Sequence, residues 1–172
     1  MSEISDDRSN IVNDGNQFDK IVKISLIIGV IVISGFIIYY LLTPEPGYVT
    51  FGVLNSDKKA ENYPTNATVG ENISFYISVG NYLRRDFNFR IEILKGDNNT
   101  LLTSSGSINA SSYFNTSITN LSNKMQWMSE MFNISFSQPG ANQIMIAELK
   151  EVDISLEETF IDILSLRFNI TS

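Results

Sequence analysis

Residues 72–79 read NISFYISV and residues 87–93 read FNFRIEI, and in both the apolar side chains return at every second position. Ile73, Phe75, Ile77 and Val79 point one way while Ser74, Tyr76 and Ser78 point the other; Phe87, Phe89, Ile91 and Ile93 alternate in the same manner with Asn88, Arg90 and Glu92. A period of two belongs to a strand with one dry and one wet face, because successive Cβ atoms of extended backbone leave opposite sides of a sheet. The pattern continues outward. Phe132, Ile134 and Phe136 alternate with Asn133 and Ser135, and Leu164, Leu166, Phe168 and Ile170 alternate with Ser165, Arg167 and Asn169. Residues 48–54, 113–119 and 142–149 are weaker candidates. Turn residues separate the runs: Gly80 with Asn81, GDNN at 96–99, Gly106, and Pro139 with Gly140. About seven strands at such spacing predict an all-β fold, an immunoglobulin-like antiparallel β-sandwich. The chain has no cysteine, so the Cys…Trp…Cys pattern of antibody domains is absent, and Trp127 reads as core or as a plug at a sheet edge.

Upstream the period changes. Ile24 to Leu42 (ISLIIGVIVISGFIIYYLL) carries no charge, Asn, Gln or Pro. As a helix it spans roughly 28 Å, close to the hydrocarbon thickness of a bilayer. Residues 21–43 are therefore expected as one transmembrane helix. Lys20 and Lys23 precede the run, the next base after it is Lys58, and Glu45 follows its apolar end; the positive-inside rule puts the N-terminus in the cytoplasm and the C-terminal part outside the cell membrane. Tyr39 and Tyr40 lie where amphipathic rings prefer the outer interface. The run exceeds a secretory signal's apolar core, and LLTPEPG at 41–47 offers no A-x-A-like cleavage site, so the segment reads as an uncleaved anchor. Residues 1–20 hold five acids, two bases and few apolar side chains, which predicts a disordered cytoplasmic tail. Residues 44–47 form a linker, and 48–172 the outer domain.

The sequon N-x-[ST] occurs at Asn66, Asn72, Asn98, Asn109, Asn115, Asn120, Asn133 and Asn169, all after the apolar run. Fifteen asparagines lie beyond Leu42, and about a fifth of the residues there are Ser or Thr, so chance supplies about three sequons. The excess supports an exterior location independently of the lysines, with N-linked glycans as partners. Asn72, Asn133 and Asn169 fall on the polar phase of their strands, and Asn115 does too if Phe114 and Ile118 face inward.

Composition narrows the chemistry. Of 172 residues, 12 are Lys or Arg and 19 Asp or Glu, a net charge of −7, and there is no His. An acidic chain without clustered bases is a poor ligand for a phosphate backbone, which argues against nucleic acid. Without Cys or His there are no thiol nucleophiles, imidazole bases or Cys/His zinc sites. No catalytic, cofactor-binding or metal-binding set is read from the sequence. Residues 148–162 hold six acids and one base and read as a helix (SLEETFIDIL), a long loop or a cation site, a solvated acidic connection being favoured; no EF-hand spacing is present. Arg84 and Arg85 are available to pair with this patch or to cap a hairpin.

A block of the outer domain resembles a known family. Phe51-Gly52-Val53-Leu54, the loop Lys59-Ala60-Glu61-Asn62-Tyr63-Pro64-Thr65-Asn66, then Val69-Gly70-Glu71 and a strand ending at Gly80-Asn81 resemble the C-terminal domain of the archaeal membrane family called domain of unknown function 1616. Trp127, residues 132–136, Gly140 and the strand at 164–170 follow the family's order. Tyr82 and Leu83 stand where relatives tend to carry an acid, and this chain has one membrane helix where relatives often have several. The resemblance implies an archaeal surface protein with a sandwich outer domain and imports no activity. On physical grounds Tyr63, Pro64, Thr65 and Asn66 read as structural: Pro64 fixes its own φ and extends Tyr63, and Gly70 with Glu71 turns the chain.

The leading expectation is a non-enzymatic, single-pass surface protein whose glycosylated sandwich binds a protein or glycan partner or builds the cell envelope. The alternatives are an accessory subunit of a larger membrane complex and a pilin- or archaellin-like filament subunit, although residues 19–24 lack the usual processing site. An envelope hydrolase using Asp153 with Glu157 or Glu158 is the least favoured.

Overall fold

The computed structural model describes residues 7–43 and 46–172 of the chain, in two units divided between Glu45 and Pro46. The first unit is one helix, α1 (Asp7–Leu42). Residues 17–42 qualify by length and composition as a membrane span, and none of that stretch is buried in protein. A helix apolar on every side needs a non-aqueous surrounding. The expectation of a disordered tail is corrected for residues 7–20, which continue the same helix. Nucleation is the costly step, and once the apolar run is helical each further turn extends it cheaply. Residues 1–6 of the expected tail, and 44–45 of the expected linker, lie outside the described residues.

The second unit contains β1 (Val49–Leu54), β2 (Asn66–Thr68), β3 (Ile73–Asn81), β4 (Phe87–Gly96), β5 (Leu101–Thr103), β6 (Gly106–Ile108), β7 (Ser111–Asn115), β8 (Thr119–Leu121), β9 (Gln126–Met128), β10 (Phe132–Ile134), β11 (Gly140–Val152) and β12 (Glu158–Thr171). One sheet has β3 at its centre, with β1 on one edge and β9 and β10 in succession on the other. The second runs β2-β12-β11-β4, with β7 and β8 sharing the far edge of β4. All these pairings are antiparallel except β2 with β12. The domain is thus an all-β, immunoglobulin-like sandwich. The inner faces carry the residues the alternation assigned to them: Ile73, Phe75, Ile77 and Val79 on β3 and Phe87, Phe89, Ile91 and Ile93 on β4 are all buried. Trp127 on β9 meets Phe89 edge-on at 5.3 Å, both core contact and plug at the sheet edge.

The segment 148–162 is corrected. It is neither helix nor long loop but the turn end of the β11–β12 hairpin, with the favoured solvated connection reduced to the exposed residues 153–157. Three of its acids, Glu148, Glu151 and Glu158, stand beside bases. Glu151 takes a two-pronged ion pair from Arg85, at 2.5 and 3.1 Å, and Glu158 takes one from Arg90. Lys150 Nζ sits among three carboxylates, donating to Glu92 at 2.6 Å with Glu148 and Glu158 at 3.7 and 3.8 Å. Among the described residues no group of three or more acids is arranged to hold a metal.

A small third layer, unforeseen in the sequence, covers part of the second sheet's outer face. Leu94, Ile144 and Ile146 form a cluster there with Ala110 and Ile163. The β5–β6 hairpin folds onto it and is fastened by the buried Glu148, whose Oε1 accepts bonds from Ser107 N (2.6 Å) and Ser107 Oγ (2.7 Å). Gly106 permits this approach: its φ is +119°, and a Cβ there would stand 3.3 Å from Glu148 Oε1.

Asn81, fully buried at the end of β3, ties three segments together. Its Nδ2 donates to Arg85 O (2.8 Å) and Leu121 O (2.7 Å), its Oδ1 accepts from Leu83 N (2.9 Å), and its backbone exchanges bonds with Met125 O and Lys124 N. Asn81→Ala strands Leu121 O in a buried site and leaves the half-buried Arg85 O and Leu83 N without their partner. It is expected to destabilise the domain by about 2 kcal/mol, read by denaturant unfolding. A second expectation concerns pH. Burial pushes the Glu92 carboxyl up, but the bonds from Lys150 and Ser112 and the positive charges of Lys150 and Arg90 together outweigh it, and the pKa lies below the ordinary value. Burial likewise opposes the Lys150 ammonium, yet its three carboxylates together hold its pKa above normal. A lowered acid contributes stability above its unfolded pKa and loses it as pH falls through the folded one; a raised lysine contributes below its unfolded pKa and loses it as pH rises through the folded one. The stability gap between wild type and Lys150→Met is therefore widest between those two ordinary values and narrows at both extremes, measured by melting curves across pH.

Candidate functional site

The loop at residues 55–66 is built from the inside. Asn55, at the end of β1, accepts at Oδ1 from Asp57 N and Lys59 N (both 2.9 Å) and donates from Nδ2 to Glu61 O (2.8 Å), which winds residues 55–61 into a compact turn. Tyr63 then packs against the core and donates its hydroxyl to Val53 O at 2.6 Å; burial pushes its phenol pKa up. Pro64 carries the chain to Thr65, whose carbonyl accepts Asn169 N (2.8 Å), and Asn66 opens β2 beside β12. At the next turn Glu71 N donates to Thr68 O, while Glu71 Oε2 accepts Thr68 N (2.7 Å) and Thr68 Oγ1 (3.0 Å). Those two donors hold the Glu71 carboxyl below its usual pKa. Gly70 supplies the left-handed φ of +82° that the turn requires, and its N–H reaches Phe136 O. These bonds place the parallel strand β2 beside β12. Gly140 starts β11 opposite Ile170. A cleft of about 420 Å³ beside the loop is edged by Asn55, Asp57, Pro64, Asn66, Glu71 and Asn72. The role of Asn55 was missed, although an Asn followed by polar residues after a strand is an Asx-turn signal.

The structure exposes all eight sequon asparagines: Asn66, Asn115, Asn120, Asn133 and Asn169 on strands, and Asn72, Asn98 and Asn109 in connections. Two pairs of sequons lie side by side. Asn66 and Asn169 are register partners on β2 and β12, and Ser74 of the Asn72 sequon donates to Asn133 Oδ1 at 2.7 Å across β3 and β10. The condition placed on Asn115 is not met: Phe114 and Ile118 remain 47% and 39% exposed. A register shift between Ile93 and Leu94 breaks the alternation of β7, an edge strand exposed along its whole length. Asn115 is exposed regardless.

At the open edge of the sandwich, between β7 and β10, a cleft of about 540 Å³ is lined by Tyr113, Phe114, Met131, Phe132 and Asn133 with Glu130. Phe114 meets Phe132 edge-on at 5.5 Å. Next to it Lys95 Nζ lies 3.9 Å from the centre of the Tyr113 ring and donates to Ser135 O at 2.5 Å, and burial lowers its pKa. The carboxylates considered for hydrolysis do not face each other across a cleft. Asp153 caps its own turn, with its pKa held down by Ser155 and by the backbone N–H of Glu157, and Glu158 is paired with Arg90.

No family model and no curated protein matches the chain. Among solved structures, the CARDB domain of a Pyrococcus furiosus protein in complex with di-metal ions aligns over 76% of this chain and 93% of its own length, at 13% identity and a TM-score of 0.45. A β-glucosidase from Listeria innocua aligns over 72% of this chain at 9% identity and a TM-score of 0.46, and an alkylpurine DNA glycosylase, AlkC, from Pseudomonas fluorescens over 72% at 12% identity and 0.44. The chain spans only 16% of that glucosidase and 30% of that glycosylase. None of these likenesses reaches beyond the arrangement of the sheets.

Proposed function

We propose that this chain is a single-pass membrane protein of the cell surface, with its N-terminus in the cytoplasm and its β-sandwich outside, where the sandwich carries N-linked glycans and serves as a non-catalytic module for binding a protein or glycan or for building the envelope. The observation that carries the reading is the exposure of every sequon asparagine on a domain preceded by an apolar helix. A buried acceptor would have contradicted it. Glu148, Glu151 and Glu158 stand beside bases and Asp153 closes its own turn, which favours a structural role for them over a reactive one. The resemblance to the archaeal family called domain of unknown function 1616 belongs to this proposal, supported by the way its most specific residues, Tyr63 to Asn66 with Gly70 and Glu71, cooperate in one corner of the fold.

Topology is tested directly because the chain has no cysteine. A membrane-impermeant maleimide is expected to label Ser137→Cys in intact cells and Asp19→Cys only in opened ones; the reverse pattern overturns the orientation. Intact-mass measurement of protein taken from its own membranes is expected to show hexose-containing additions that disappear site by site in Asn→Gln variants. An unmodified mass removes the glycan part of the reading and leaves the anchor standing.

A further inference from the structure

We propose that the β11–β12 turn is a lipid-contacting tip, and that the end of the sandwich bearing it docks on the headgroup layer of the membrane; this rests on the anchoring reading above. Ile154 is 100% exposed and Leu156 70% exposed, side by side on a loop of five residues, Asp153 to Glu157. Tight turns ordinarily carry Gly, Asn, Asp or Ser at such places, because those residues suit the backbone and lose nothing to water. Here two large aliphatic side chains stand in solvent, and burying them in an apolar boundary is the favourable direction.

The turn is built to present them. Asp153 N donates to Glu157 O and Leu156 N to Asp153 O, at 3.1 and 3.2 Å. Asp153 Oδ1 accepts Ser155 N, Ser155 Oγ and Glu157 N, all within 2.9 Å, so the carboxylate is turned back into the loop and away from its apex. Leu156 adopts φ +66°, a left-handed conformation that glycine takes at lower cost. The loop thus keeps a leucine where conformational preference favours another residue.

Its position commits the occupant. Phe89 pairs with Glu151 on β11 and Val49 with Asn81 on β3, so this turn, the β3–β4 turn and the start of β1 share one end of the sandwich. Tyr82 N donates to Tyr48 O there, and the two rings stack at 4.9 Å. The exposed Arg84 and Lys124 belong to the same end, since Lys124 N donates to Asn81 O. Aliphatic tips and tyrosines in one place suit a membrane interface. Arg84 and Lys124 share this end with the exposed acids Asp86, Asp153 and Glu157, so the contact rests on apolar burial and not on charge. The chain reaches this end through residues 43–48, a connection that spans at most about 22 Å even fully extended. Lipid is therefore the partner within covalent reach.

The test uses the full chain in liposomes, with an environment-sensitive fluorophore on one introduced cysteine and nitroxides placed either shallow or deep in the lipid. Ile154→Cys is expected to emit to the blue of Ser137→Cys, at the opposite end of the sandwich, and to be quenched several-fold more by the shallow nitroxide. Val30→Cys, in α1, is expected to respond to the deep one. If Val30→Cys responds and Ile154→Cys behaves like Ser137→Cys, docking is overturned and anchoring stands. If Val30→Cys fails to respond, the anchoring reading falls and docking with it. A blue-shifted Ile154→Cys that neither nitroxide quenches means that protein covers the tip, and equally overturns the proposal.

Discussion

Strand β11 is the constraint on which the sandwich turns. Its backbone bonds on both edges, to β4 and to β12, and residues 144–149 are buried on both faces. Met145, Ala147 and Leu149 enter the main core, while Ile144 and Ile146 enter the small cluster beneath the β5–β6 hairpin. A strand so placed leaves no solvent for its polar groups, and an unpaired carboxylate there would cost far more than a neutral one. Glu148 is tolerated because Ser107 supplies two donors and Lys150, two residues further along β11, brings its ammonium to 3.7 Å. The same contacts locate the hairpin. With no disulfide available, closure of the sheets rests chiefly on apolar contact, helped by bonds such as that from Asn81 to Leu121 O, which is sufficient for a domain of about 125 residues.

The acidic excess is accordingly less diffuse than its sum suggests. Arg85 and Glu151 join the β3–β4 turn to β11, Arg90 and Glu158 join β4 to β12, and Lys150 links β4, β11 and the start of β12 through Glu92, Glu148 and Glu158. Partly exposed pairs of this kind each contribute little net stability. Their effect is on specificity: sliding β11 by one residue against β4 would set Glu148 and Lys150 facing the core and expel Ala147 and Leu149 from it, so charge and hydrophobic burial select the same register.

The sheets were legible from the sequence because β3 and β4 each bury one face, which leaves a period of two in the residues. The run IMIAEL in β11 made residues 142–149 only a weaker strand candidate for the opposite reason: it is covered on both faces and therefore does not alternate. Residues 153–162 misled in a similar way. SLEETFIDIL has helical spacing, yet Asp153 prefers to bond Ser155 and Glu157, which closes a turn and returns the chain to β11. The short strands β2, β5, β6 and β9 left no trace, since three residues carry too little period to detect; tertiary pairing alone makes them strands. Of the site features, the exposure of the sequons followed from strand phase at Asn133 and Asn169, while Asn72, expected on the polar phase of a strand, lies in the connection just before β3. The adjacency of Asn66 to Asn169 depends on the parallel pairing of β2 with β12, a long-range contact that local pattern does not encode. The aromatic edge cleft was equally invisible, because Phe114 and Phe132 lie far apart in the chain and meet only when the sheets close.

Anchoring changes what counts as a sufficient contact. A free domain that touches a membrane through two aliphatic side chains would leave it quickly, since association must first offset the loss of translational freedom. A domain joined to a span by a few residues has already lost that freedom, and its local concentration at the surface is set by the length of the connection. Ile154 and Leu156 then need only bias orientation, which a small gain in apolar burial accomplishes. Fixing that end toward lipid would leave the opposite end, with the β10–β11 connection and the cleft around Lys95, turned to the surroundings. The sugars proposed at Asn66, Asn115, Asn120, Asn133 and Asn169 would lie along the flanks of the sheets, covering edge strands that would otherwise be open to pairing with other chains.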